Sequence, residues 1–333
     1  MMKPDTTITA GQIKPLSAED LEAVIAIDRD ASGYSRRGFF EKRLDAAVEQ
    51  PGDFIYVGLY DGLSLMGYTL AKMVDGEYGK PGARASLDAL GVDRPYQGRG
   101  VGRQMLDAVV DILKHKGVGV LTSQVDWSNQ PLVGFLGRSG FGLSKHRLLS
   151  RKTSAPLTFQ LSPPPFDEKF IEIDHSSPDG DDPDALSKED VPVRSMNEKD
   201  LTAIISIDRK ITGQDRSAYF KRKQHEILHQ SGVRNSLIAE LDGYPVGFIM
   251  ARVDYGEYGR TSPEAVMDAI GVDPGYQGRD VGQVLMRNLL TNLSNLQVEK
   301  VRTEIDWNNV GLIAYMDAAG FTPAQTVGLF RRF

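Results

Sequence analysis

Apolar positions along the chain follow two periods, and both patterns come round twice. Leu21, Val24 and Ile25 recur at helical spacing, and Leu201, Ile204 and Ile205 repeat them 180 positions later. Ser17 and Asn197 precede these runs, each with Asp three residues on, which predicts a capped helix start. A second short helix is expected around Phe39–Arg43 and again around Tyr219–Lys223, with Gly33 and Arg36 matching Gly213 and Arg216 between them. Strand-like runs follow. Residues 54–60 turn at Asp61-Gly62 into 65–74, and residues 237–241 turn at Asp242-Gly243 into 246–253, a hairpin signal in both copies. Each copy then carries Gly-Glu-Tyr-Gly, at 76–79 and 256–259, and an apolar strand ending at Val92 or Val272. An amphipathic helix with Leu106, Val109, Val110 and Leu113 on one face comes next, then strands over 118–125 and 298–305. A late helix leads to Gly140-Phe141 or Gly320-Phe321, and a final strand is expected to close each copy.

Between the apolar strand and the amphipathic helix lies Gln97-Gly98-Arg99-Gly100-Val101-Gly102, answered by Gln277-Gly278-Arg279-Asp280-Val281-Gly282. A glycine-rich turn from strand to helix lets backbone approach a ligand, and the first helical N–H groups have no intrahelical partner. The segment reads as a phosphate cradle or, more plainly, as a tight turn with glycines at positive φ. It is not a Walker loop, because no Gly-Lys-Ser/Thr ending follows.

At 333 residues, two domains are expected, with 41% hydrophobic and 25% charged residues as in ordinary globular cores. Net charge of −6 argues against nucleic-acid or anionic-membrane partners. The absence of cysteine excludes disulfides, thiolate metal sites and a cysteine nucleophile. The five His show no metal-ligand spacing; His225 and His229 are four apart, but no metal is expected there. With no signal-like or membrane-length run, the expected compartment is the cytoplasm. Residues 154–190 hold ten Asp and Glu against two Lys, together with Pro163-Pro164-Pro165. They read as an acidic linker, with Phe166 and Phe170–Ile173 strapped onto a domain. The expected division is 1–153, linker 154–190 and 191–333.

The loop, the order of elements and the closing Gly-Phe resemble the GNAT superfamily of acyl-CoA-dependent N-acyltransferases. The resemblance implies an α/β (α+β) fold. It would comprise two tandem GNAT-like domains, each a mixed, mostly antiparallel sheet flanked by helices and paired with the other within the chain. It implies acetyl-CoA as co-substrate and a small-molecule or peptide amine as acceptor. The implied CoA-binding positions are Leu90, Val92, Gln97, Gly98, Arg99, Gly100, Val101, Gly102 and Asn129. In the second copy they are Val272, Gln277, Gly278, Arg279, Gly282 and Asn309. Direct attack on the thioester needs backbone amides near Leu90–Val92 to polarise the carbonyl and a base, for which Glu77 and Asp88 are the candidates. Asp28 reads instead as a local ion pair on a solvated helix face. Trp127, Trp307, Tyr78 and Tyr258 read as core or interface residues. The family's usual tyrosine, four residues before the closing Gly, is Leu136 or Met316 here, and Tyr315 is one position off and reads as packing. Asp280 in place of Gly100 predicts weaker CoA binding in the second copy. Two alternatives stay open. One is a tandem enzyme of the mycothiol-synthase type with one catalytic copy; the other is an acyl-CoA-binding sensor or scaffold without turnover.

Overall fold

A computed structural model describes residues 11–49, 51–75, 83–157, 159, 191–225, 227–228, 235–254 and 264–333. The first half runs β1 (Gln12–Pro15), α1 (Leu21–Ser32), α2 (Arg37–Glu49), β2 (Phe54–Asp61), β3 (Ser64–Asp75), β4 (Ala83–Val92) and α3 (Val101–His115). It continues with β5 (Val120–Asp126), α4 (Gln130–Arg138), β6 (Gly142–Leu143) and β7 (His146–Lys152). The second half repeats the order as β8 (Val193–Ser195), α5 (Leu201–Thr212), α6 (Ser217–His225), β9 (Leu237–Leu241), β10 (Tyr244–Asp254), β11 (Glu264–Val272) and α7 (Val281–Asn295). Then come β12 (Lys300–Asp306), α8 (Val310–Ala318), β13 (Thr322–Pro323) and β14 (Thr326–Arg332).

Local chemistry accounts for the element ends. Asp20 accepts from the backbone N–H of Ser17 at 2.8 Å, and Asp200 from that of Asn197 at 2.7 Å, so both capping pairs form ahead of their helices. The second hairpin turns at Asp242 and Gly243, both at positive φ (52° and 77°), the conformation a two-residue turn between twisted strands demands.

Strand alternation puts two cores on each sheet. Ile55 and Val57 of β2 pack with Leu106, Val109 and Leu113 of α3, while Tyr56 faces Val24, Ile27 and Phe40 of the early helices. The second half is built alike, with Leu285, Leu289 and Leu293 of α7 on one face and Ile204, Ile207 and Phe220 on the other.

The closing strands do not close their own copies. Each sheet has seven strands; the first runs β1-β2-β3-β4-β5-β14-β6 and the second β8-β9-β10-β11-β12-β7-β13. β14, the last strand of the second copy, pairs antiparallel with β5, and β7, from the first copy, pairs antiparallel with β12. This corrects the expectation that each copy ends with its own strand. β5 and β12 hold equivalent places, 180 residues apart, in a duplicated chain, so either closing strand meets an equivalent edge. Beyond β7 the chain stays on the second sheet: Thr153 Oγ1 donates to Val298 O at 2.6 Å, and the Arg151 guanidinium donates to the carbonyls of Ala319 and Ala155 and, at 3.0 Å, to that of Pro156. Phe159 packs on Tyr315. Phe166, Phe170–Ile173 and the rest of residues 160–190 lie outside the described residues. Among the described residues no helix is long and apolar enough to cross a membrane.

Candidate active site

In each half two parallel strands pair briefly and then part. β4 meets β5 only at Ala85–Leu121 and Ser86–Thr122, and β11 meets β12 only at Ala265–Val301 and Val266–Arg302. Past that point the strands splay, and a wedge opens towards the glycine-rich loop. At the splay a bulge interrupts the outer pairing: Leu70 faces Ala89 and Ala71 faces Leu87, so Asp88 is the extra residue, as Asp268 is in β11. A bulge turns a strand and leaves its extra residue outside the ladder. Alternate amides over Leu90–Val92, or Ile270–Val272, are bonded to one neighbour only and can face a ligand on the other side.

The loops themselves are alike. Gly98 and Gly100 sit at φ 74° and 84°, Gly278 and Asp280 at 81° and 57°. Asp280 thus keeps the left-handed backbone that Gly100 has, which Asp tolerates better than most residues. Gln97 and Gln277 turn back onto the strand, each Nε2 donating to Val92 O (2.9 Å) or Val272 O (3.4 Å). Asn129 and Asn309 cap the following helix, accepting from Leu132 N and Leu312 N at 3.2 and 3.1 Å. These four side chains brace the wedge. Arg99 and Arg279 are exposed on the loops, and Val101 is buried beneath its helix.

The second wedge is a cavity of about 870 Å³. It runs from the loop, Tyr276–Gly278 and Asp280–Gln283, along residues 268–272 of β11 to Glu304–Asp306 of β12, with His146 at the far end.

A family model described as the acetyltransferase (GNAT) family matches residues 21–141 and 201–321. The chain belongs to the acetyltransferase (GNAT) family. It is 26% identical over 316 residues to a mycothiol acetyltransferase of Thermobispora bispora, covering 94% of this chain and 96% of that protein. Two solved structures share the fold at low identity. One is a tandem GNAT protein from the clavulanic acid biosynthesis pathway (TM-score 0.59, 15% identity, 97% and 98% of the two chains). The other is a GCN5-related N-acetyltransferase from Sphaerobacter thermophilus (TM-score 0.59, 14%, 97% and 96%). Both GNAT matches stop before β7 and β14, the two exchanged strands.

Set in a GNAT wedge, the candidate acids and bases separate. Glu77, with its Gly-Glu-Tyr-Gly motif and Tyr78 and Tyr258, lies outside the described residues, as does His229. Asp88 is buried, 3.1 Å from Arg43 Nη2 and accepting from Ser86 Oγ at 2.9 Å. A carboxylate held by a guanidinium is a weak proton acceptor. Asp268 is likewise held, by Arg252 at 3.1 Å and Lys223 at 3.6 Å.

Two readings need correction. Asp28 is not on a solvated face. It is 3% exposed, paired with Arg36 (Nε to Oδ2 2.8 Å) and accepting from Tyr68 Oη at 2.8 Å. Burial would lower the Arg36 guanidinium, but the bond to Asp28 raises it; burial, followed by the charge of Asp28, pushes the Tyr68 hydroxyl well up. Trp127 and Trp307 are not core: each is 55% exposed, because each follows a strand end where its N–H ties to the exchanged chain, at Gln325 O and Lys145 O. Leu136 and Met316 are fully buried. Tyr315 donates to Gly282 O at 2.7 Å, and burial raises its pKa. It pins the start of α7. Among the described residues no group of His, Asp and Glu is arranged for a metal.

His146 drew no attention in the sequence. It stands far from the loop of either copy, and only the strand exchange brings it to the second wedge.

Proposed function

We propose that this GNAT acetyltransferase transfers the acetyl group of acetyl-CoA to a primary amine, and that the reaction takes place in the C-terminal wedge. The observation that carries the reading is the continuous cavity of about 870 Å³ from the glycine-rich loop to Glu304, Asp306 and His146. Its size is that of a site for a small ligand, on the order of 300–1,000 Å³. Amides around Gly278–Gly282 and the start of α7 suit the diphosphate. Amides at Ile270–Val272 suit the thioester oxygen, where charge develops as the amine attacks. With no cysteine in the chain, no cysteine thiol can carry the acetyl group, and the amine is taken to attack the thioester directly, as the family resemblance implies. Tyr315 is held on Gly282 and is a poor proton donor, so the thiolate, a good leaving group, departs without help from that residue.

The test is thiol release from acetyl-CoA with a panel of small amines, amino sugars, amino acids and peptide N-termini, each product checked by mass. Amine-dependent release with an acetylated product supports the reading. Tight acetyl-CoA binding with no release for any amine would instead favour an acyl-CoA sensor, a reading that rests on the buried apolar residues, Leu136 and Met316, where the family's tyrosine usually stands.

A further inference from the structure

Resting on the C-terminal wedge as the reaction site, we infer that His146, Glu304 and Asp306 form its acceptor-amine site: the two carboxylates hold the ammonium of a small primary amine, and the imidazole takes its proton. His146 is the first residue of β7 and pairs in register with Asp306. Its Nδ1 is 3.9 Å from Glu304 Oε1 and its Nε2 3.8 Å from Asp306 Oδ2, with Ser144 Oγ 3.5 Å from Nδ1. Side-chain exposure rises from His146 (8%) through Glu304 (14%) to Asp306 (45%), so the group is sheltered at the imidazole and open at one carboxylate.

All three residues line two cavities. One is the wedge that holds the loop; the other is a cavity of about 230 Å³ in the seam between the sheets, walled by β4, β5 and β14. A donor entering from the loop and an acceptor entering from the seam therefore meet at these three side chains. The seam cavity falls below the ~300–1,000 Å³ of drug-sized pockets. It suits a metabolite-sized amine and excludes a folded protein.

Among the described residues, the equivalent positions of the first copy hold no such group. Gln124 stands where the second has Glu304, and Thr326, not histidine, faces Asp126. The loops repeat and the acceptor end does not.

The ammonium gives one N–H proton to the imidazole. The freed nitrogen lone pair forms the C–N bond to the thioester carbon. The C–S bond then breaks, with its electron pair going to the CoA thiolate. A second proton leaves the adduct nitrogen for that thiolate, and the imidazolium returns its proton to solvent. The other charged groups lining the two cavities that meet here are Arg84 on β4, Lys145 ahead of β7, Arg332 on β14, Asp268 on β11, Asp280 on the loop, and Asp208 and Arg216 on the helical side.

The experiment uses the full chain and the best amine of the panel. His146→Gln should lower kcat by about two to four orders of magnitude, leave acetyl-CoA affinity unchanged, and abolish the rise of kcat/KM with pH as imidazole loses its proton. His146→Ala should be rescued in part by added imidazole, which a purely structural histidine would not allow. Glu304→Gln should raise KM for the amine at least tenfold with acetyl-CoA affinity kept. Unchanged turnover in His146→Gln, or loss of kcat and acetyl-CoA affinity together without imidazole rescue, overturns the inference. If the wild-type chain turns over no amine, the acetyltransfer reading fails on that result. The amine site is then judged by the His146 ring signal in NMR, titrated with propylammonium. A saturable shift absent in Glu304→Gln supports the site, and no shift overturns it.

Discussion

Gly100 and Asp280 hold the same place in two loops and share a left-handed backbone, so the difference between them is a carboxylate and little else. A Cβ built on Gly100 meets nothing within 4 Å, so an aspartate there is opposed by its φ and by the diphosphate's charge, not by the protein. Calorimetry on the full chain should show Gly100→Asp weakening the first site at least tenfold, about 1.4 kcal/mol. Asp280→Gly should tighten the second; equal affinities in all three proteins would mean Asp280 points away from the ligand. Asp28 and Tyr68 give a second residue-scale case with a built-in control. Phe248 stands at the position of Tyr68 in the second copy, and Asp208 still pairs with Arg216, Nε to Oδ2 2.9 Å. Tyr68→Phe should therefore cost only about 1 kcal/mol in urea unfolding. Asp28→Asn, which strips a buried guanidinium of its counter-charge, should cost about 3 kcal/mol or more. Glu77 separates the two wedges. With chemistry in the C-terminal wedge, Glu77→Gln should stay within about threefold of wild-type turnover, and a fall of two orders of magnitude or so would return the reaction to the N-terminal one.

At the scale of elements, the start of α5 is held by charge. Asp200 has a side chain only 4% exposed and is bonded by Arg194, which also reaches Glu240. Burial would raise the Asp200 carboxyl, but Arg194 and the Asn197 N–H together bring it below its ordinary value. A carboxyl lowered on folding adds stability above its unfolded pKa of about 3.9 and loses it as pH falls through the folded value. Arg194→Met should flatten the loss of stability between roughly pH 4 and pH 2, measured by urea midpoints; an unchanged slope would show that the pair does not couple to folding. The bulge at Asp88 belongs to this scale too. Its ion pair with Arg43 ties α2 to the point where β4 leaves β5. The wedge therefore depends on a buried contact between two elements that are remote in sequence.

For the whole molecule, the exchange of β7 and β14 makes each sheet a product of both halves. Two sheets that share strands cannot unfold singly without stripping an edge from the other. One cooperative calorimetric transition is expected for the full chain, whereas two resolved transitions would argue for separate folding units. Residues 1–153 alone carry every loop residue of the first copy but lack β14, so β5 is left as an open edge. That fragment should aggregate or pair with itself, and mixing it with residues 191–333, which bring β14 and lack β7, should restore both native edges. A chain ending at Gln325 should lose acetyl-CoA binding in the N-terminal half, although no residue there has changed.

The sequence by itself determined what is local. Apolar spacing placed the helices, Asp-Gly placed the second hairpin and, one residue early, the first, whose turn is Gly62-Leu63, Ser17 and Asn197 placed the caps, and the offset of 180 exposed the duplication and both glycine-rich loops. Each of these is encoded within a few residues, where backbone preference and nearest-neighbour chemistry act. The tertiary structure alone decided which edge each last strand joins. A strand's own residues specify that it is a strand and which side faces inward, but not which of two equivalent edges it pairs with. That choice carries His146 from the first copy to Glu304 and Asp306 of the second. Packing within the first copy put Asp28 in the core and not in an expected surface pair, because its partner, Arg36, comes from the turn after the helix and Tyr68 from a strand behind it. Asn129 and Gln97, assigned from family resemblance to the ligand, brace the wedge with the polar atoms seen bonded here, which only the coordinates of their partners could reveal.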